Sequence, residues 1–203
     1  MLPSLVRVLC HGALLFGLTA LEASIPGHAK LVFSIDQRFG TIGFSVDHLG
    51  LFSSRGRFDR FTGVLDIDPA HPERTSFRIT IESSSLDMAW DQAAAMLRTP
   101  DFFDVSQYPA ITYTSSAVIP HGAEHYAIDG TLRIRGVERP QKLDALLLDR
   151  RRDPVRHVET AEFKVTGRLK RSDFGMVADR VFISDAVMLT IHVRIELPYP
   201  ASG

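Results

Sequence analysis

In the segment "VMLTIHVRIEL", Val187, Leu189, Ile191, Val193, Ile195 and Leu197 share one parity, while Met188, Thr190, His192, Arg194 and Glu196 share the other. Successive side chains of a strand point to opposite faces, whereas a helix would scatter the apolar set around its circumference. The segment therefore reads as one long strand with a dry face and a wet face. The same alternation recurs in "FRITIE" (Phe77, Ile79, Ile81), "YAIDGTLRI" (Tyr126, Ile128, Leu132, Ile134), "AEFKVTGRL" (Ala161, Phe163, Val165, Leu169) and "TIGFSVDH" (Ile42, Phe44, Val46). Strands with a single dry face belong to antiparallel sheets. Turn signals separate them: "DPAHPE" at 68–73, "PHGAE" at 120–124, "RGVERP" at 135–140 and "RRRDP" at 150–154. Long antiparallel strands joined by short turns close most economically into one barrel, with a two-sheet sandwich as the competing arrangement. No repeat, linker or low-complexity tract divides the chain, so one all-β domain over residues 30–200 is expected.

One segment breaks the pattern. Over residues 86–98, Leu86, Trp90, Ala93 and Leu97 recur at helical spacing, with Asp91 placed to cap a shorter version beginning at Gln92 and Pro100 ending it. A lone helix with an apolar stripe in a barrel sequence is expected to pack over an opening. The following "DFF" extends that apolar surface, so Trp90, Met96, Leu97, Phe102 and Phe103 are the expected lid.

The first 29 residues differ from the rest: Arg7, an apolar run from Val8 to Leu21, then small residues up to Ala29. This is the pattern of a secretory signal peptide cleaved after Ala29 or Ala23. A buried first helix or an uncleaved anchor is the alternative, although the run is shorter than the ~20 residues a bilayer span needs. The only cysteine, Cys10, lies in this segment, so a mature chain would have no disulfide, redox pair or thiolate metal site. Arginine outnumbers lysine, a bias consistent with a GC-rich bacterial genome, and the expected location is the periplasm. With a formal net charge of -1 over 203 residues, the chain has no clustered excess of positive charge for a nucleic acid.

Three motifs carry competing readings. "HGAEH" at 121–125 matches the H-x-x-E-H metalloprotease pattern, but Pro120 and Gly122 place it in a turn, where the helical geometry that aims two histidines at a metal is lost. No metal site is expected. "VDHL" sets Asp47 beside His48 with Ser45 and Ser53 nearby. Neighbours in a strand face opposite ways, so Asp47 cannot orient His48 locally, and no G-x-S-x-G elbow is present. His48 shares the dry face of Phe44 and Val46, either as a hydrogen-bonded core residue or as a contact for a ligand's polar end. The basic runs "SSRGRF" at 53–58 and "RRR" at 150–152 read as solvated surface or, at a barrel mouth, as receivers of an anionic head group. Arg55 and Arg57 are the candidate head-group contacts.

Taken in order, "FSVDHLGLFSSRGRFDRFTGVLDIDP", "LRTPDFFDVSQYPAITYTSS", "GTLRIRGVERP", "RSDFGM" and "SDAVMLTIHVRIEL" resemble the successive signature blocks of the YceI-like family of exported, polyisoprenoid-binding proteins. The resemblance spans nearly the whole mature chain. It implies an extended antiparallel lipocalin-like β-barrel with one short lid helix, holding a long isoprenoid such as a quinone tail or polyprenyl phosphate without catalysis. Phe44, Val46, His48, Phe77, Ile79, Ile81, Tyr113, Leu132, Phe163 and Val165 are the expected barrel lining beside the lid. One block departs from the family. Where relatives carry a polar "R-D-x-H-L-R" helix before "DFFD", this chain reads "AAAMLR", so Ala93, Ala94 and Met96 replace a polar network with an apolar, polarisable patch.

The leading expectation is thus a carrier, store or stress-protective binder for an isoprenoid or other long-chain amphiphile. It has no cofactor beyond that bound lipid, and a transient membrane contact and a homodimer are both compatible with it. The alternative is a hydrolase or isomerase acting on such a lipid in the same cavity, using His48 with a distant carboxylate. Intact-mass measurement of protein from its native host should show a loss of about 3 kDa from signal cleavage; full-length protein retained in the cytoplasm contradicts export.

Overall fold

A long hairpin, bent in its middle, organises the molecule. Its first arm is β1 (Leu31–Asp36) continued by β2 (Gly40–His48), and its second is β3 (Phe52–Phe58) continued by β4 (Phe61–Ile67). β2 pairs with β3 and β1 with β4, both antiparallel, so the two arms stay in register through the bend. The structure, a computed structural model, describes residues 31–68 and 71–198. The expected signal peptide lies outside the described residues.

After the hairpin come β5 (Ser76–Glu82), the three-residue β6 (Leu86–Met88), helix α1 (Asp91–Leu97) and five long strands: β7 (Ala110–His121), β8 (His125–Ile134), β9 (Val137–Asp153), β10 (Val158–Lys170) and β11 (Ile183–Pro198). The eleven strands form one sheet in the order β1-β4-β5-β7-β8-β9-β10-β11-β2-β3-β6. The two halves of the hairpin thus sit at opposite ends of this order, joined by covalent chain at residues 37–39 and at Asp59 and Arg60. The sheet curls into a barrel because the hairpin belongs to both of its ends. Backbone hydrogen bonds continue across the corner, from Arg194 N to Phe39 O at 2.7 Å on one side and from Glu82 N to Arg60 O at 3.0 Å on the other.

The alternating segments form strands with the faces their parity implies. Val187, Leu189, Ile191 and Val193 pack on the main core with Phe44, Phe77, Ile79 and Phe163, around buried Ile128, Leu132, Ile134, Leu143, Val165 and Leu169. A second cluster of Ile35, Leu65 and Ile67, with Ile195 and Leu197 against it, seals the seam between the hairpin and the end of β11.

Four local expectations change. Residues 86–88 are a strand, since Leu86 and Met88 pair opposite Phe58 and Gly56 of β3, and that pairing overrides the helical spacing. The helix is only Asp91–Leu97, with no side-chain cap at its start. The basic run 150–153 continues β9, and the turn follows it. Likewise only Arg135 and Gly136 turn the chain between β8 and β9. Both have positive φ, 51° and 74°, the backbone of a two-residue hairpin whose twist matches its strands.

Leu86 has no exposed surface. Leu86→Ala should lower unfolding free energy by about 2–5 kcal/mol, against less than about 1 kcal/mol for Val64→Ala on the outer face of β4, as measured by urea denaturation.

Candidate functional site

The strands curl around a cavity of about 430 Å³, within the range of small-molecule pockets, roughly 300–1,000 Å³. It is long rather than round. Lining residues on β11 run from Ile183 to Leu197, which at ~3.3 Å per residue and a strand tilt near 40° spans roughly 35 Å of barrel. Its walls are almost wholly hydrocarbon and aromatic.

The middle is built from paired rings. Phe77 stacks on Tyr113 with centroids 5.8 Å apart, and Tyr126 meets Phe163 edge-on at 6.0 Å. Tyr113 reaches across the sheet at Gly130, where any Cβ would strike the phenol ring. Its hydroxyl donates to the Gln141 carbonyl at 3.2 Å. Burial, and then the charge of Asp129, push the phenol's pKa up, so the ring stays neutral and its polar atom is occupied.

One end is covered by α1 and the loop after it. Phe103 lies 5.7 Å from Phe58, edge to face, and 6.4 Å from Phe44, while Met96, Leu97 and Phe102 complete the cover. Met96 is nonetheless 41% exposed, so it touches both cavity and water. Two arginines pin this lid. Arg98 donates to the carbonyls of Ser84 and Leu86, and Arg135 to those of Pro100, at 2.7 Å, and Phe102. Buried Ser83 holds the far side of the loop, its hydroxyl donating to Tyr108 O at 2.6 Å. Beneath the rim, buried Arg171 donates to three carbonyls, of Ser184, Met176 and Ile183, and so fixes the loop 176–184.

All of the side chains expected to line the barrel and lid do so except Trp90. Trp90 is 66% exposed and only its carbonyl serves, accepting from the amides of Ala93 and Ala94. Arg55 and Arg57 also fall outside. On β3 the inner positions are Ser54, Gly56 and Phe58, so both arginines face solvent, and Arg57 pairs with Asp59 at 2.7 Å and Asp87 at 2.9 Å. They are not head-group contacts in this arrangement.

His48 is on the inner face as expected, hydrogen-bonded to Ser54 at 2.8 Å and stacked on Phe52 at 4.7 Å. Asp47 points outward and accepts from Ser53. Among the described residues no carboxylate touches the His48 ring. "HGAEH" forms the turn between β7 and β8, with His121 opposite His125. Arg150, which the sequence reading held only as part of the basic run 150–152, and Glu159, which it missed, line the end of the cavity farthest from the lid. For Glu159 a signal existed: it has the parity of Ala161 and Phe163. For Arg150 the basic run was visible but its inward orientation was not, because a bulge in β9 reverses the parity just before it.

A family described as the YceI-like domain matches residues 33–195. A UPF0312 protein of Photorhabdus laumondii is 34% identical over 169 residues, covering 81% of this chain and 87% of the relative. The crystal structure of Campylobacter jejuni YceI is 28% identical with a TM-score of 0.68, covering 75% of this chain and 90% of the other. A polyisoprenoid binding domain from Saccharophagus degradans is 16% identical with a TM-score of 0.58, covering 84% and 100%, and at that identity shares the fold.

Arg135→Gln should free the carbonyls of Pro100 and Phe102. Amide hydrogen exchange over residues 99–108 is then expected to rise about tenfold or more while β9 and β10 keep their rates. A uniform rise across the barrel would mean that the loop opens only with the whole fold.

Proposed function

The chain belongs to the YceI-like family, and on that premise we propose that it is an exported, non-catalytic binding protein of the bacterial periplasm that holds a long isoprenoid, or a similar amphiphilic lipid, in its barrel. The observation that carries this reading is the shape and chemistry of the cavity: a slot about as long as the strands, apolar along its length, with polar groups at its ends. A slot of that form suits a chain and wastes little contact on a compact molecule. Each methylene moved from water into it contributes about 0.8 kcal/mol, so tens of carbons provide ample affinity without directional contacts along the wall. Carriage, storage or protection of such a lipid all require this retention, with transient membrane contact for loading.

One observation favours a second reading. Ser54 and His48 form a hydroxyl–imidazole pair on the cavity wall, the beginnings of a nucleophile and its base. Among the described residues no carboxylate orients the pair, and Ser54 sits in a regular strand without the exposed turn that presents a serine nucleophile. Binding accounts for the same pair as a polar contact.

Organic extraction of protein purified from its native host, read by mass spectrometry, should release a long-chain lipid. Phe163→Glu should abolish its retention, because an unpaired carboxylate is costly in an apolar interior, while Arg78→Gln on the outer face should not. An empty barrel contradicts the binding reading. Hydrolysis of an offered prenyl ester that stops on Ser54→Ala would establish the enzymatic one.

A further inference from the structure

The arginine at the far end of the cavity follows from a single extra residue. On β9, Leu143, Ala145 and Leu147 face inward, opposite Gly167, Val165 and Phe163 of β10. Between Leu147 and Asp149 the register slips, leaving Leu148 unpaired, and from there Arg150 stands opposite Ala161 and Arg152 opposite Glu159. The inner face has passed from odd to even residues, which turns Arg150 into the cavity lining and Arg152 to the same side, where strict alternation would turn Asp149 and Arg151.

There they flank a buried carboxylate. The Glu159 side chain is 6% exposed, and it accepts from Arg152 Nε at 2.6 Å and from Arg150 Nε. Burial alone would raise its pKa, but the hydrogen bonds from Arg152 and Arg150 outweigh it and hold the group below the usual carboxylate range. Both arginines reach water, at 57% and 68% exposure. Arg150 therefore stands where the apolar slot meets solvent, with its Nε contact using one of five donors. The other acidic lining group at this end, buried Asp68, has Arg74 at 4.0 Å. Around Glu159 two guanidiniums stand against one carboxylate, so this cluster carries one positive charge in excess. At the lid end Arg98, Arg135 and Arg171 are committed to backbone carbonyls, and the polar pair there, Ser54 and His48, includes no guanidinium.

We propose that this far end is a head-group site for an anionic amphiphile, a long chain ending in a phosphate monoester or a carboxylate, which lies with its tail under the lid and its head on Arg150 and Arg152. The inference rests on the reading of the cavity as a lipid site and adds the charge of the ligand and its direction. Guanidinium forks match the oxygens of both head groups, and at a water-exposed rim the anion keeps part of its hydration. The pinned lid is then the closed end, and loading proceeds tail first past the arginines.

The test is displacement of the neutral reporter N-phenyl-1-naphthylamine from the mature protein by geranylgeranyl phosphate, palmitate and their uncharged counterparts geranylgeraniol and hexadecanol, at low salt. The anions should displace it at concentrations about tenfold or more below the alcohols, the effect of one or two charge-assisted hydrogen bonds. In Arg150→Gln/Arg152→Gln that preference should fall to about twofold with the alcohols unchanged, and in Arg55→Gln/Arg57→Gln it should persist. The triple variant that adds Glu159→Gln removes the buried charge and guards against a folding defect in the double variant. Preference for phosphate over palmitate, or the reverse, identifies the head group. Equal displacement by anions and alcohols in the wild type, or an unchanged preference in the triple variant, overturns the head-group site while leaving the lipid cavity standing. Displacement by none of the four overturns the lipid reading itself.

Discussion

Everything in this molecule depends on the bent hairpin carrying the hydrogen-bond ladder around a corner. An open sheet of eleven strands would expose one long apolar face, and the energetic cost of that face is what closure removes. The chain solves the problem by giving β2 to β11 and β4 to β5, with Phe39 and Arg60 accepting backbone bonds at the two bends. The edges that remain, β1 and β6, are six and three residues long. Short edges limit pairing with other chains.

Closure also sets what the interior can be. Facing aromatic and aliphatic side chains meet across the barrel near its ends, through Phe103 on Phe58 at one end and the Ile35, Leu65 and Ile67 cluster toward the other. Between them the many-stranded barrel is wider than its inward side chains fill, and the long strands draw the remaining void out along the axis. Polar groups in such a void carry a desolvation cost unless each is paired, and the structure obeys this: Tyr113 donates to a carbonyl, Arg171 to three carbonyls, and Glu159 accepts from two arginines. Arg150, paired to Glu159 and 57% exposed, reaches from that apolar space into water.

The lining of β2, β5, β10 and β11 was legible because alternation is a local property: once Phe163 faces inward, Val165 must as well. The lid was legible in outline, since Met96, Leu97, Phe102 and Phe103 are apolar beside a Pro stop, and α1 does cover an opening. Its limits were not. Leu86 carries helical spacing and strand pairing at once, and only the presence of β3 beside it decides between the two. Trp90 failed for the same reason: with the first turn removed, nothing holds it against the barrel.

The sequence by itself determined the class of the fold, the antiparallel sense of the strands and which faces are dry, because side-chain parity and turn chemistry act over a few residues. It also determined that Arg55 and Arg57 lie on the parity opposite Phe58, a fact sufficient to place them outside. Tertiary structure alone decided where the barrel closes, which strands slip register and which charges the cavity meets. A bulge needs a partner strand to be defined, so the extra residue at Leu148 has no meaning until β10 lies beside β9, and Arg150 points inward only from that moment.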